Sequence, residues 1–183
     1  MTDKTRMTFL NLHNDLRSVV ARGKAEDKTV KGGFAPKAAN MRKLEYDCKL
    51  EKMAAEYAKG CVFKHSTNEY RGYTGDKLPA GENLFRVAIP DADRIKAAEW
   101  ATRAWFNELR ELAWGETDRI GCAIESCWGE KGDKRKQTLV VCNYMETGNR
   151  VGKKVYEIGE PCDQCPQGYK CEGKLCARIK PRS

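Results

Sequence analysis

Ile120-Gly121-Cys122-Ala123-Ile124 and Leu139-Val140-Val141-Cys142-Asn143-Tyr144 decide the fold. Both are short and rich in β-formers, and read as strands. Gly129-Glu130-Lys131-Gly132-Asp133-Lys134-Arg135-Lys136, between them, is turn material. Upstream the period is helical. Phe9, Leu12, His13, Leu16, Val19 and Val20 recur at three- and four-residue steps until Gly23 supplies a cap. Charged, glycine-containing stretches from Arg22 to Pro36 and from Ser66 to Pro79 read as loops. Asp47 caps a second helix lined by Leu50, Ala54, Tyr57, Ala58 and Cys61. Pro90 and Asp91 open a third, with Ile95, Ala98, Thr102, Trp105, Phe106 and Leu109 on its buried side. Helices first and strands later predict an α+β domain with helices packed on an antiparallel sheet.

One junction breaks the pattern. The third helix runs to about Glu111 with no terminator, and Leu112-Ala113-Trp114 then heads straight for the strand. A helix feeding a returning strand needs a linker. Either the helix continues through Trp114, or residues are missing between Asn107 and Ala113.

Beyond the second strand, Gly148, Gly152 and Gly159-Glu160-Pro161 mark a loop leading to a tail. There Cys162, Cys165, Cys171 and Cys176 crowd a segment with almost no large apolar side chain. Such a segment needs cross-links to hold a shape. Four thiolates can bind zinc tetrahedrally, but nine cysteines in 183 residues favour disulfides and an oxidising compartment. Met1 to Arg6 is polar and enters the first helix directly, so a secretory signal is expected to have been removed already.

Composition excludes other classes. Thirty-four Lys and Arg against 26 Asp and Glu give a net charge of +8. The mean hydropathy of −0.71 and the lack of any long apolar run speak against a membrane-spanning segment. The basic balance suits sulfated glycans, acidic cell surfaces or nucleic acid. No nucleic-acid partner is expected, because the aromatics do not alternate with the basic clusters as a single-strand groove requires.

Several motifs, in order, resemble one family. They are His13-Asn14-x-x-Arg17, Tyr46-Asp47-Cys48, Cys61-x-Phe63-x-His65-Ser66, Gly81-Glu82-Asn83-Leu84, Trp105-Phe106-x-Glu108, Gly121-Cys122 and Cys142-Asn143-Tyr144-x-x-x-Gly148-Asn149. The set is similar to the CAP superfamily of cysteine-rich secretory, antigen 5 and pathogenesis-related proteins. The cysteine-rich tail matches its nematode Ancylostoma-secreted-protein branch. The resemblance implies an α-β-α sandwich with a central antiparallel sheet over residues 1–158 and a disulfide-rich, hinge-like tail over 159–183. It implies the pairs Cys61–Cys127, Cys122–Cys142, Cys162–Cys171 and Cys165–Cys176; sequence alone leaves over a hundred pairings of eight cysteines open. Cys48 stays unpaired, since in relatives it joins a cysteine near the mature N-terminus that this chain lacks.

The family cleft holds two histidines and two glutamates that can bind a metal. Here the resemblance supplies His65, Glu82 and Glu108. Asn107 to Glu111 stand where the signature carrying the second histidine belongs, and His13 belongs to the first motif. Glu146 and Arg150 also depart from the second signature. One imidazole with two carboxylates is short of the usual zinc ligands, so neither a cofactor nor a catalytic residue is expected. A hydrolase using Ser66 beside His65, or a metal-dependent one using His65, Glu82 and Glu108, is the weaker alternative, because sequence neighbours rarely converge as nucleophile and base. A lipid-, sterol- or glycan-binding groove is another.

Lys131-Gly132-Asp133 is the sharpest functional candidate. Integrins that read Arg-Gly-Asp hold a cation at one end and set the carboxylate on a bound metal at the other. A hard carboxylate oxygen suits that metal, and glycine lets the two side chains diverge. Lysine keeps the charge but loses the bidentate fork, which narrows the set of receptors. With the family resemblance, the expectation is a secreted, monomeric parasite-type protein that binds a cell-surface protein, a host integrin, and inhibits platelet adhesion and aggregation without membrane insertion.

Overall fold

The computed structural model describes residues 1–72, 78–107, 113–128 and 136–180. Three helices occur among them: α1 (Asp3–Ala21), α2 (Cys48–Ala58) and α3 (Arg94–Asn107). The strands are β1 (Glu45–Tyr46), β2 (Gly81–Val87), β3 (Arg119–Trp128), β4 (Lys136–Met145), β5 (Tyr169–Glu172) and β6 (Leu175–Arg178). A four-stranded sheet runs β1-β3-β4-β2, and β5-β6 form a separate hairpin. The sheet is mixed rather than purely antiparallel. Two-residue β1 lies parallel to β3, to which it is joined by a crossover through α2, β2 and α3 and not by a hairpin. β2, β4 and β3 pair antiparallel, with Cys122 opposite Cys142.

Alternation along β3 and β4 sorts the core into two layers. Ile120, Cys122, Ile124, Val140, Cys142 and Tyr144 pack with Phe9 of α1 and Ala97, Ala98, Ala101 and Trp105 of α3. Ala123, Cys127, Leu139 and Val141 meet Ala54 and Ala58 of α2 on the opposite face. Helices on both faces make the α-β-α sandwich, and explain why these strands read as nearly unbroken apolar runs. Gly121 sets the closeness of α2: a Cβ there would stand 2.2 Å from the Glu51 nitrogen and 2.6 Å from the Asp47 oxygen.

Local chemistry sets the helix ends. Gly23, at φ +67°, closes α1, with its N–H on the Val20 carbonyl at 2.8 Å and the Lys24 N–H on Val19 at 3.0 Å. Asp47 caps α2 through Oδ1, 2.7 Å from the Lys49 nitrogen. α3 starts later than Pro90-Asp91 suggests, because Asp93 Oδ1 accepts from the Ile95 and Lys96 amides. Its described part runs to Asn107, and Ala113 and Trp114 are buried but not helical, so the helix does not continue through Trp114. The rest of that junction, residues 108–112, lies outside the described residues. Among the expected buried faces, Leu12, Leu16, Val19, Ile95 and Phe106 are only half-buried, whereas Arg17 is enclosed.

Disulfides join Cys61–Cys127, Cys122–Cys142, Cys162–Cys171 and Cys165–Cys176, and Cys48 is free and exposed. The Cys162, Cys165 and Cys176 sulfurs cluster closely, but as cystines they are not the thiolates a zinc site needs. The tail hairpin seats on the larger unit. Cys176 donates to the Met41 carbonyl at 2.8 Å and accepts from Lys43 at 2.9 Å, and Leu175, Cys176 and Ala177 are buried. Tyr169 donates to Asp118 Oδ2 at 2.6 Å and Arg178 to the same oxygen at 2.5 Å. The Tyr169 ring also lies near both the Arg42 and Arg178 guanidinium groups.

Candidate functional site

The cleft opens where the loop after α2 meets the start of β2. The Cys61–Cys127 bridge ties that loop to the end of β3. A cavity of about 300 Å³ is lined by residues that include Arg17, His65, Arg71, Glu82, Asn83 and Tyr144. Strand alternation turns the Glu82 side chain inward, where it is fully buried, while the His65 side chain is 65% exposed. Glu82 Oε1 accepts from the Ser66 N–H at 2.8 Å and pairs with His65 Nδ1 at 3.0 Å; Oε2 accepts from Ser66 Oγ at 2.6 Å. The carboxylate is therefore fixed by its own neighbours. Ser66 gives its hydroxyl proton to Glu82, not to an imidazole, and does not have the geometry of a Ser–His nucleophile.

The floor is a second network. His13 Nδ1 lies 2.8 Å from the Phe9 carbonyl, which can only accept. Nδ1 therefore carries the proton, and Nε2 accepts from Tyr144 Oη at 3.1 Å. Burial pushes the His13 pKa down to about 3, so the ring is neutral. Asn83 Nδ2 reaches the same phenol at 3.5 Å. Arg17, four residues after His13 on the same face of α1, donates to the carbonyls of Arg42 and Trp114 at 2.9 Å, Gly115 at 3.3 Å and Thr117 at 2.9 Å. Burial lowers its pKa to about 9, which leaves it charged at neutral pH. Arg17 thus joins α1 to the turn that leads into β3, and positions the cleft wall from behind.

The structure brings His65 and Glu82 together. Glu108 lies outside the described residues, as do Lys131, Gly132 and Asp133. The sequence reading left Arg71 unassigned. Its Nη1 donates to the Ala80 carbonyl at 2.9 Å and its Nη2 to Asn68 Oδ1 at 2.9 Å, which ties residue 71 to the entry of β2. Loop position alone gave no signal for it. Arg17 did leave one, a charge on the helical stripe of Phe9 and His13.

The Cysteine-rich secretory protein (CAP) family matches residues 10–144, and the chain belongs to it. It is 36% identical over 197 residues to "Ancylostoma secreted protein" of Ancylostoma caninum, covering 93% of this chain and 43% of that protein. The chain thus spans less than half the length of that curated relative. Among solved structures, "NaASP2 with Zn2+" is 39% identical with a TM-score of 0.79, covering 96% of both chains. "Hookworm Platelet Inhibitor" is 25% identical with a TM-score of 0.71, covering all of this chain and 94% of the other.

A metal in the family cleft raises the question of fit here. Among the described residues, one imidazole and one carboxylate reach the cleft, and both carboxylate oxygens already accept hydrogen bonds. Two guanidinium-bearing residues, Arg17 and Arg71, line the same cavity. That donor set does not make a four-coordinate zinc site.

Proposed function

We propose that the chain is a secreted, non-catalytic protein that binds a cell-surface integrin through Lys131-Gly132-Asp133 and so inhibits platelet adhesion and aggregation. The observation that carries this reading is the register of the β3–β4 hairpin. Cys122 opposes Cys142, and Trp128 opposes Lys136 as the last pair. Residue 132 falls midway between these partners, so the tripeptide lies in sequence between the last paired residues of the two strands. Trp128 of that last pair is 65% exposed, with Lys136 Nζ 5.0 Å from the ring centroid. A short segment carrying one cation and one carboxylate about a glycine has the chemistry to bridge an acidic receptor groove and a receptor-bound metal. Similarity to the Hookworm Platelet Inhibitor points the same way. The non-catalytic half rests on Ser66 and His65 both being committed to Glu82. The test measures platelet adhesion to fibrinogen with the parent protein and Asp133→Ala. Loss of inhibition is expected, and unchanged inhibition would defeat the tripeptide reading. A hydrolytic activity abolished by His65→Ala would defeat the non-catalytic one.

A further inference from the structure

We infer that the turn at residues 150–154 is a processing site for a protease that cleaves after lysine, and that one cut at Lys153–Lys154 leaves the tail held by non-covalent contacts alone. Accessibility comes first. Val151 is fully exposed, and Gly152, Lys153 and Lys154 beside it are exposed as well. The turn is closed by the Lys153 N–H on the Arg150 carbonyl at 3.1 Å, with Gly152 at φ +78°. Lys154 pairs with Glu157 at 2.8 Å on the surface, a contact that contributes little. Opening the turn at its tip gives up the Lys153–Arg150 main-chain hydrogen bond and that surface ion pair, both made by the exposed Lys153 and Lys154.

The flanks define the scissile bond. Arg150 Nη2 holds Glu116 Oε2 at 2.6 Å and the guanidinium lies 5.6 Å from the Trp114 ring, so this cation is engaged. The Val155 carbonyl accepts from the Gly115 amide at 2.7 Å. Both ends of the turn are thus fastened to residues 114–116, and the exposed basic pair Lys153-Lys154 lies between the fasteners. Hydrolysis there adds water across the amide, giving a carboxylate on Lys153 and a free amine on Lys154.

The consequence follows from the cystine map. Cys61–Cys127 and Cys122–Cys142 close before this turn, and Cys162–Cys171 and Cys165–Cys176 close after it. A break after Lys64 is bridged by the first pair, and any break between Cys122 and Cys142 by the second. A break at Lys153 is bridged by none. The tail then keeps its two internal cystines and remains docked through Asp118, Ser18 on the Gly173 carbonyl at 3.0 Å, and the main-chain contacts of Cys176.

The experiment is brief digestion of the full chain with endoproteinase Lys-C. Non-reducing mass analysis under denaturing conditions is expected to show a released peptide beginning at Lys154 or Val155 with both disulfides intact. Native gel filtration of the same sample is expected to show that peptide co-eluting with the body. Lys153→Gln/Lys154→Gln, at two solvent-exposed positions, is expected to abolish the released peptide while cuts elsewhere persist. An uncut Lys153–Lys154 region in a sample cut at other lysines would overturn the site. A tail still attached under non-reducing denaturation after cleavage would overturn the cystine argument, and separation on native gel filtration would overturn the docking.

Discussion

At the residue scale, Gly121 and His13 act on the interior and His65 on the cleft mouth. Gly121 has no room for a methyl group, because the first turn of α2 rests on its Cα. Gly121→Ala must push α2 outward or bend β3, and overpacking of this kind costs about 1–3 kcal/mol. The expected outcome is a fall in melting temperature of at least about 2 °C, read by differential scanning calorimetry. His13 makes stability pH-dependent. Its folded pKa of about 3 lies below the ordinary 6.5, so the unfolded state binds the extra proton throughout that window. Its contribution is complete above pH 6.5 and is lost as pH falls towards 3, with a slope of about 1.4 kcal/mol per pH unit for one proton. Urea denaturation across this range should show that component, and His13→Gln should flatten it; an unchanged slope would remove His13 as the cause. At the cleft mouth, zinc titration by calorimetry is expected to give weak, unsaturated heats. Saturation at one equivalent, lost in His65→Ala, would contradict the donor-set argument.

At the element scale, one buried carboxylate, Asp118, holds the tail hairpin alongside the main-chain contacts of Cys176. Asp118 receives the Tyr169 hydroxyl and the Arg178 guanidinium, and itself sits at the entry to β3. Asp118→Asn keeps the shape but removes the charge that strengthens both bonds. Hydrogen exchange is expected to speed up in Tyr169–Arg178 by about tenfold or more, from loss of charged hydrogen bonds, while the β3–β4 amides hold. Equal protection in the tail would mean that the Cys176 main-chain contacts suffice. The elements also show what sequence could and could not reveal. β3 and β4 were legible because both faces are covered, leaving an apolar run between turn residues. β2 was not: Glu82, Asn83 and Arg86 interrupt its apolar pattern, the first two lining the cleft and the third lying exposed over the Phe63 ring. β1 is two residues long and has no periodicity to detect. Arg17 escaped because its burial depends on four carbonyls supplied from distant segments, a tertiary fact that helical spacing only hints at.

At the scale of the whole molecule, a disulfide-tied sandwich presents separate regions with different chemistry. The cleft consumes its own polar groups: Glu82 in fixing Ser66 and His65, and Tyr144 in fixing His13. The tail hairpin is cross-linked within itself and docked through Asp118. The tripeptide Lys131-Gly132-Asp133, which lies in sequence between the last paired residues of β3 and β4, is the segment through which the protein is proposed to act. The motif was legible in the sequence at once; its claim on function draws weight from the strand register, whose last pair, Trp128 and Lys136, flanks it equally in sequence. The most direct measurement is a dose–response of platelet adhesion to fibrinogen for the parent chain, Lys131→Ala, Asp133→Ala and the cleft variant His65→Ala. The account predicts that the two tripeptide variants lose inhibition by at least about tenfold in concentration, the effect of about 1.4 kcal/mol, while His65→Ala inhibits like the parent. Full inhibition by Asp133→Ala, or its loss in His65→Ala with the fold intact, would contradict it.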